Sequence, residues 1–145
     1  MMQRPRGGPD LTDSLNALRK QGVDTLVSLL ADKESIALGL AEEGARFVAL
    51  GGVFHHFPVP DFDIPRDRAG FLELAAGLAE ELRGGRHVAV HCRGGIGRSG
   101  MLAASVLLRL DWTLPDALNH LAYHRGHPVP ETDAQRDWLA NLPVP

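Results

Sequence analysis

Val88-Ala89-Val90-His91-Cys92-Arg93-Gly94-Gly95-Ile96-Gly97-Arg98-Ser99-Gly100 is the stretch whose reading decides the fold. An apolar run over 88–90 ends at Cys92, the only cysteine in the chain. Gly94, Gly95 and Gly97 follow, and Arg98 and Ser99 stand where the next apolar run begins. That order predicts a strand, a tight turn and then a helix. Residues 99–110 are apolar on nearly all sides, the pattern of a central, buried helix.

The turn has the makings of an anion cradle. Small residues let backbone approach a ligand closely, and successive N–H groups of such a turn can point inward as a nest. The following helix adds its unpaired N–H groups and positive dipole end. This setting suits a negative charge on the sulfur of Cys92, the form in which cysteine is a nucleophile. Arg93, Gly94, Gly95, Ile96, Gly97 and Arg98 would surround a phosphate, with Arg98 gripping two of its oxygens. Ser99 would donate a hydrogen bond to the Cys92 sulfur and ease its later departure. His91 would brace the turn rather than act as a base.

Working outward, the N-terminal residues 1–9 read as a loose, flexible tail and residues 10–145 as a single domain. Leucines at 11, 15 and 18 with Gly22 beyond predict a helix. Residues 25–30 form a short apolar run typical of a buried strand. Residues 33–43 are expected as a helix ending at Gly44, 46–50 as a second strand, and 53–59 as extended chain. Prolines 58, 60 and 65 impose an ordered, non-helical loop. Residues 66–82 carry one apolar helical face, and helices are expected over 113–124 (Thr113 as cap) and 131–141. Strands alternating with helices indicate an α/β layer fold with a mostly parallel sheet.

Bulk properties narrow the field. At 145 residues the chain is long enough for a core without disulfides or metals. A net charge of −3 argues against nucleic-acid or anionic-membrane partners. No apolar run approaches the roughly 20 residues that span a bilayer, and residues 1–10 have no apolar segment of the secretory kind. A lone cysteine fits a reducing, cytoplasmic setting.

Two other readings of the same letters fail. Gly95-Ile96-Gly97-Arg98-Ser99-Gly100 matches the dinucleotide fingerprint, but that fold needs a second strand ending in an acid about 20 residues on. Leu110 leads instead into Asp111-Trp112-Thr113 and another helix. A nucleotide-hydrolase loop fails because Met101 stands where lysine is required. His120 and His124 share a helix face near His127, yet no acid follows His120, so a packing or surface role is expected and no metal. His55 and His56 read as strand residues.

The unit His91-Cys92-x5-Arg98-Ser99 resembles the active-site signature of the cysteine-dependent protein tyrosine phosphatases. The nearer likeness is to the small, atypical dual-specificity phosphatases, the group of the kinase-associated phosphatase, over residues 21–139. Phe57-Pro58-Val59-Pro60-Asp61 looks like that family's general-acid loop, and residues 130–135 like the segment that packs behind its phosphate loop.

The resemblance implies a three-layer fold, a central, mostly parallel sheet with helices on both faces and the phosphate loop between a strand and the central helix. It implies hydrolysis of phosphotyrosine, and of phosphoserine or phosphothreonine in a shallow pocket, on a protein or peptide substrate. The route is a phosphocysteine at Cys92, with Asp61 as acid and then base, and no cofactor. Asp63 is the local competitor for that role, otherwise a turn-forming residue. Gln135 is either an orienter of the hydrolytic water or a helix-surface glutamine. Glu131 is a helix N-terminal charge or a partner for an arginine of the loop. Arg93 adds a positive side chain at the rim, either reading an acidic neighbour of the phosphosite or solvated. A phosphate-reading module without turnover is the alternative from another class.

Overall fold

The computed structural model describes residues 1–143. Its centre is β1 (Thr25–Ser28), whose four residues are all buried. β1 pairs in parallel on both sides, with β2 (Val53–His56) and β3 (Val88–His91), giving the order β2-β1-β3. Register runs from Thr25 opposite Val53 and Val88 to Ser28 opposite His56 and His91.

Side chains alternate across a strand, so the sheet feeds two cores. Val27, Leu29 and Val90 pack with Phe71, Ala75, Leu78, Met101, Leu102 and Leu139. These come from α4 (Arg68–Arg83), α5 (Gly97–Arg109) and α7 (Asp133–Ala140), while α6 (Leu114–Arg125) packs on α5. On the opposite face Leu26, Leu30 and Ala89 meet Leu11 and Leu15 of α1 (Leu11–Lys20) and Phe47 of α3 (Glu43–Ala49). The three layers expected from the resemblance are present. A run buried on both faces explains why residues 25–30 read as uninterrupted apolar sequence.

Three local expectations are corrected. Residues 46–50 are not a strand; Glu43–Ala49 is helical, with Phe47 fully buried from one side. Residues 33–43 are not one helix. α2 (Asp32–Ala37) stops where Gly39 takes φ +71, a left-handed conformation open to glycine, and a Cβ there would come within 2.5 Å of Gly8 N. The N-terminal residues are also not a loose tail. Met2 N–H donates to Val90 O at 2.9 Å, Pro5 is buried, and residues Gly8–Asp10 form a short 3-10 turn into α1.

The proline loop follows β1 without joining the sheet as a strand. Phe57 N–H donates to Ser28 O at 2.9 Å and Val59 N–H to Leu29 O at 3.0 Å, which carries Asp61 toward the end of β3. Among the described residues no helix is long and apolar enough to cross a membrane.

Candidate active site

β3 ends at His91, and the chain from Cys92 to Ile96 turns into the first residue of α5, Gly97. Gly95 supplies the turn at φ +72, and a Cβ there would lie 2.2 Å from Met2 O, so the position suits glycine on both counts. The turn walls a cavity of about 210 Å³, to which Asp61, Cys92, Arg93, Gly94, Ile96, Gly97, Arg98 and Gln135 contribute. That is smaller than the roughly 300–1,000 Å³ of most organic-ligand pockets and suits a tetrahedral oxyanion. Clefts of about 390 and 490 Å³ elsewhere hold neither Cys92 nor Arg98.

Cys92 is 3% exposed at the base of this cavity. Arg98, on the first turn of α5, is buried and heavily bonded. Its Nη1 donates to Glu34 Oε1 at 2.7 Å and to Val59 O at 2.8 Å. Its Nη2 donates to Glu34 Oε2 at 3.1 Å and to Asp61 Oδ1 at 2.9 Å. Burial opposes the charge on Arg98, but the hydrogen bonds and charge of Glu34, then Asp61 and Cys92, raise its pKa further. Burial likewise pushes the Glu34 carboxyl up, and is outweighed by Arg98, the Ala31 N–H and Arg93, so Glu34 lies below its ordinary value.

His91 is fully enclosed, and both ring nitrogens are engaged. Nδ1 faces Cys92 O at 3.1 Å. Nε2 meets Glu43 Oε1 at 2.5 Å. These two contacts tie α3 to the start of the turn. Ser99 differs from expectation: its buried Oγ has no hydrogen-bond partner among the described residues, Cys92 included.

Asp61 and Asp63 each accept from the N–H of the following residue, at 3.0 and 2.8 Å, and differ in their relation to the cavity. Asp61 lines the cavity, whereas Asp63 is held as a turn residue. Gln135 is buried rather than on a helix surface. Its Oε1 accepts from the N–H groups of Glu131 and Thr132, both at 3.1 Å, and its Nε2 donates to Asp63 O at 3.1 Å. Nε2 has two donors, and only one of them is used among the described residues. Glu131 lies at the cavity edge and Arg93 is exposed at its rim. His120 and His124 stack with ring centres 4.5 Å apart, and no group of three metal-type ligands exists among the described residues.

Four contributors escaped the sequence reading. Glu34 and Glu43 hold Arg98 and His91 from residues 64 and 48 positions away. Arg125, in the last turn of α6, donates to Gly94 O at 2.6 Å and Gly95 O at 3.0 Å. Phe62 follows the acid at φ +60, an uncommon conformation for an aromatic residue, and lines the cavity mouth. None of the four carries a local signal in the sequence.

The architecture is shared with phosphatases of known structure. A kinase associated phosphatase whose catalytic site cysteine is replaced by serine superposes with TM-score 0.85 at 24% identity, over 94% of this chain and 80% of that one. Tk-PTP in its active form gives TM-score 0.77 at 28% identity, over 97% and 87%. The fold is that of the protein tyrosine and dual-specificity phosphatases. Residues 1–111 match the family model described as polymorphic toxin system, DSP-PTPase phosphatase, and the chain belongs to that family. In sequence it is 36% identical over 91 residues to cyclin-dependent kinase inhibitor 3 of Rattus norvegicus and 35% identical over 91 residues to that of Homo sapiens. Each match covers 61% of this chain and 42% of the relative, so the chain matches less than half of the relatives' length.

Proposed function

We propose that this chain hydrolyses phosphate monoesters on proteins or peptides, phosphotyrosine and also phosphoserine or phosphothreonine, through a phosphocysteine intermediate. The observation that carries the reading is the meeting of Cys92, Arg98 and Asp61 in one cavity of phosphate size. In the first step the Cys92 sulfur attacks phosphorus as the ester P–O bond breaks, and Asp61 gives its proton to the departing oxygen. In the second, water attacks the same phosphorus, Asp61 takes the water's proton, and the S–P bond breaks to return the thiolate. The buried Ser99 hydroxyl, unpartnered among the described residues, is the donor we assign to that departing sulfur once the phosphocysteine has formed. Inward N–H groups of the turn and Arg98 steady the equatorial oxygens, where charge rearranges most. Gln135 has one N–H to spare for the attacking water.

None of these steps calls for a metal or cofactor. The acidic net charge of −3 supports neither a nucleic-acid nor a membrane partner, and a single thiol nucleophile suits the cytoplasm. The test is hydrolysis of p-nitrophenyl phosphate by the wild-type protein and by Cys92→Ser and Asp61→Asn. Loss of turnover in Cys92→Ser with its fold intact is expected; full activity in that variant overturns the mechanism.

A further inference from the structure

β3 is an edge strand, and the chain's own first residues cover it. Met2 bridges in parallel to His91, with its N–H on Val90 O. The contact does not stop where the strand stops. Arg4 N–H donates to Arg93 O at 3.4 Å, and Met2 O and Gln3 N lie so close to Gly95 that a Cβ there would come within 2.2 and 2.8 Å of them. None of the residues 1–6 lines the cavity, so the segment lies against the outer side of the turn.

The peptide geometry gives this placement a consequence. In a planar trans peptide the C=O of one residue and the N–H of the next point in opposite directions. Arg4 holds the Arg93 carbonyl from outside, and Arg125 holds those of Gly94 and Gly95. Three consecutive carbonyls tied outward turn the N–H groups of Gly94, Gly95 and Ile96 inward, toward the cavity.

We propose that residues Met2–Arg4 are a positioning strap that keeps the phosphate loop in its anion-receptive form, an inference that rests on the phosphatase reading of the cavity. An edge cover alone would blunt aggregation and leave anion affinity unchanged. The strap acts on the loop beyond the strand and therefore on affinity and turnover.

The experiment compares wild type, a chain lacking residues 1–6, and Arg4→Pro, which removes the N–H donated to Arg93 O. Tungstate affinity is measured by calorimetry, kcat and KM with p-nitrophenyl phosphate, and Tm by circular dichroism. The truncated chain is expected to lose at least about tenfold in tungstate affinity and in kcat/KM, since a single oxyanion donor is worth that much or more. Adding the peptide Met-Met-Gln-Arg-Pro-Arg should restore both in a saturable way. Arg4→Pro, losing one long hydrogen bond, should lose about threefold with little change in Tm.

Wild-type tungstate affinity and kcat/KM in both variants overturns the strap while leaving the phosphatase reading intact. If the truncated chain does not fold, wild-type values in Arg4→Pro alone overturn it. A wild-type protein that neither binds tungstate nor turns over substrate overturns the phosphatase reading and the strap with it.

Discussion

Asp61 Oδ1 accepts a hydrogen bond from Arg98 Nη2 at 2.9 Å, so the acid sits on the arm of the guanidinium that a phosphate would need. Arg98 donates through Nη1 and Nη2 to Glu34, Val59, Asp61 and, at 3.5 Å, Leu29 O, and among the described residues none of its hydrogen bonds involves Nε. A bidentate grip uses Nε and one Nη together. In the proposed mechanism a dianion bound that way would take over the Nη2 donor and release Asp61 toward the leaving oxygen, which would link binding to acid delivery through one N–H.

Asp61→Asn weakens the competitor as well as removing the acid. Inorganic phosphate should bind the variant at least as tightly as wild type, with a lower inhibition constant. Turnover of an ester with a poor leaving group should fall by about 10²–10⁴. Steady-state kinetics with phenyl phosphate and phosphate inhibition reads both; weaker phosphate binding would refute the competition.

Glu34→Gln tests the support of Arg98. Breaking a buried ion pair costs about 3–5 kcal/mol, and the loss here should be nearer 2 because Glu34 is 16% exposed and Asp61 remains. The pH dependence has a fixed sign. A carboxyl lowered in the folded state stabilises above its ordinary value of 4.5, and that contribution disappears as pH falls through the lowered value. Wild-type Tm should therefore drop more steeply than that of Glu34→Gln on acidification below about 4.5, measured by calorimetry across pH.

Oxidation of Cys92 has restricted outcomes, because the chain holds one cysteine and no internal disulfide can form. Peroxide should yield a sulfenic acid that a thiol reverses, or a backbone sulfenamide. Mass spectrometry after brief peroxide treatment and dithiothreitol should show recovered thiol; direct passage to a thiol-insensitive sulfonic acid is the opposing result.

Gln135→Ala removes a helix cap and the tether to Asp63 O together. A cap is worth about 1 kcal/mol and a stranded carbonyl acceptor about 1–3, so a loss of about 2–4 kcal/mol is expected in urea unfolding. Dephosphorylation of the phosphocysteine should slow more than its formation, giving a burst in stopped-flow product release.

Much of this was legible in the sequence because it is local. The turn, its glycines, Cys92 and Arg98 are contiguous, and α4 and α5 announce themselves by apolar spacing. Residues 46–50 misled because a short apolar run has no length with which to tell strand from helix; the burial of Phe47 from one side decided it. Gly39 looked like a helix interior because its reason, the approach of Gly8, lies 31 residues away in sequence. Glu34, Glu43 and Arg125 were invisible for the same reason. Each acts across the fold, and nothing around it in the chain differs from an ordinary helix surface.

The all-parallel sheet also sets an order of events during synthesis. β1 leaves the ribosome as a strand apolar on both faces, and its first partner, β2, arrives about 28 residues later. Its second, β3, arrives only after a further 35, together with the nucleophile itself. A chain stalled before Val88 exposes one flank of β1 as a ready template for a foreign strand. The second flank of β1 and the segment that carries Cys92 are therefore completed in the same short interval of translation.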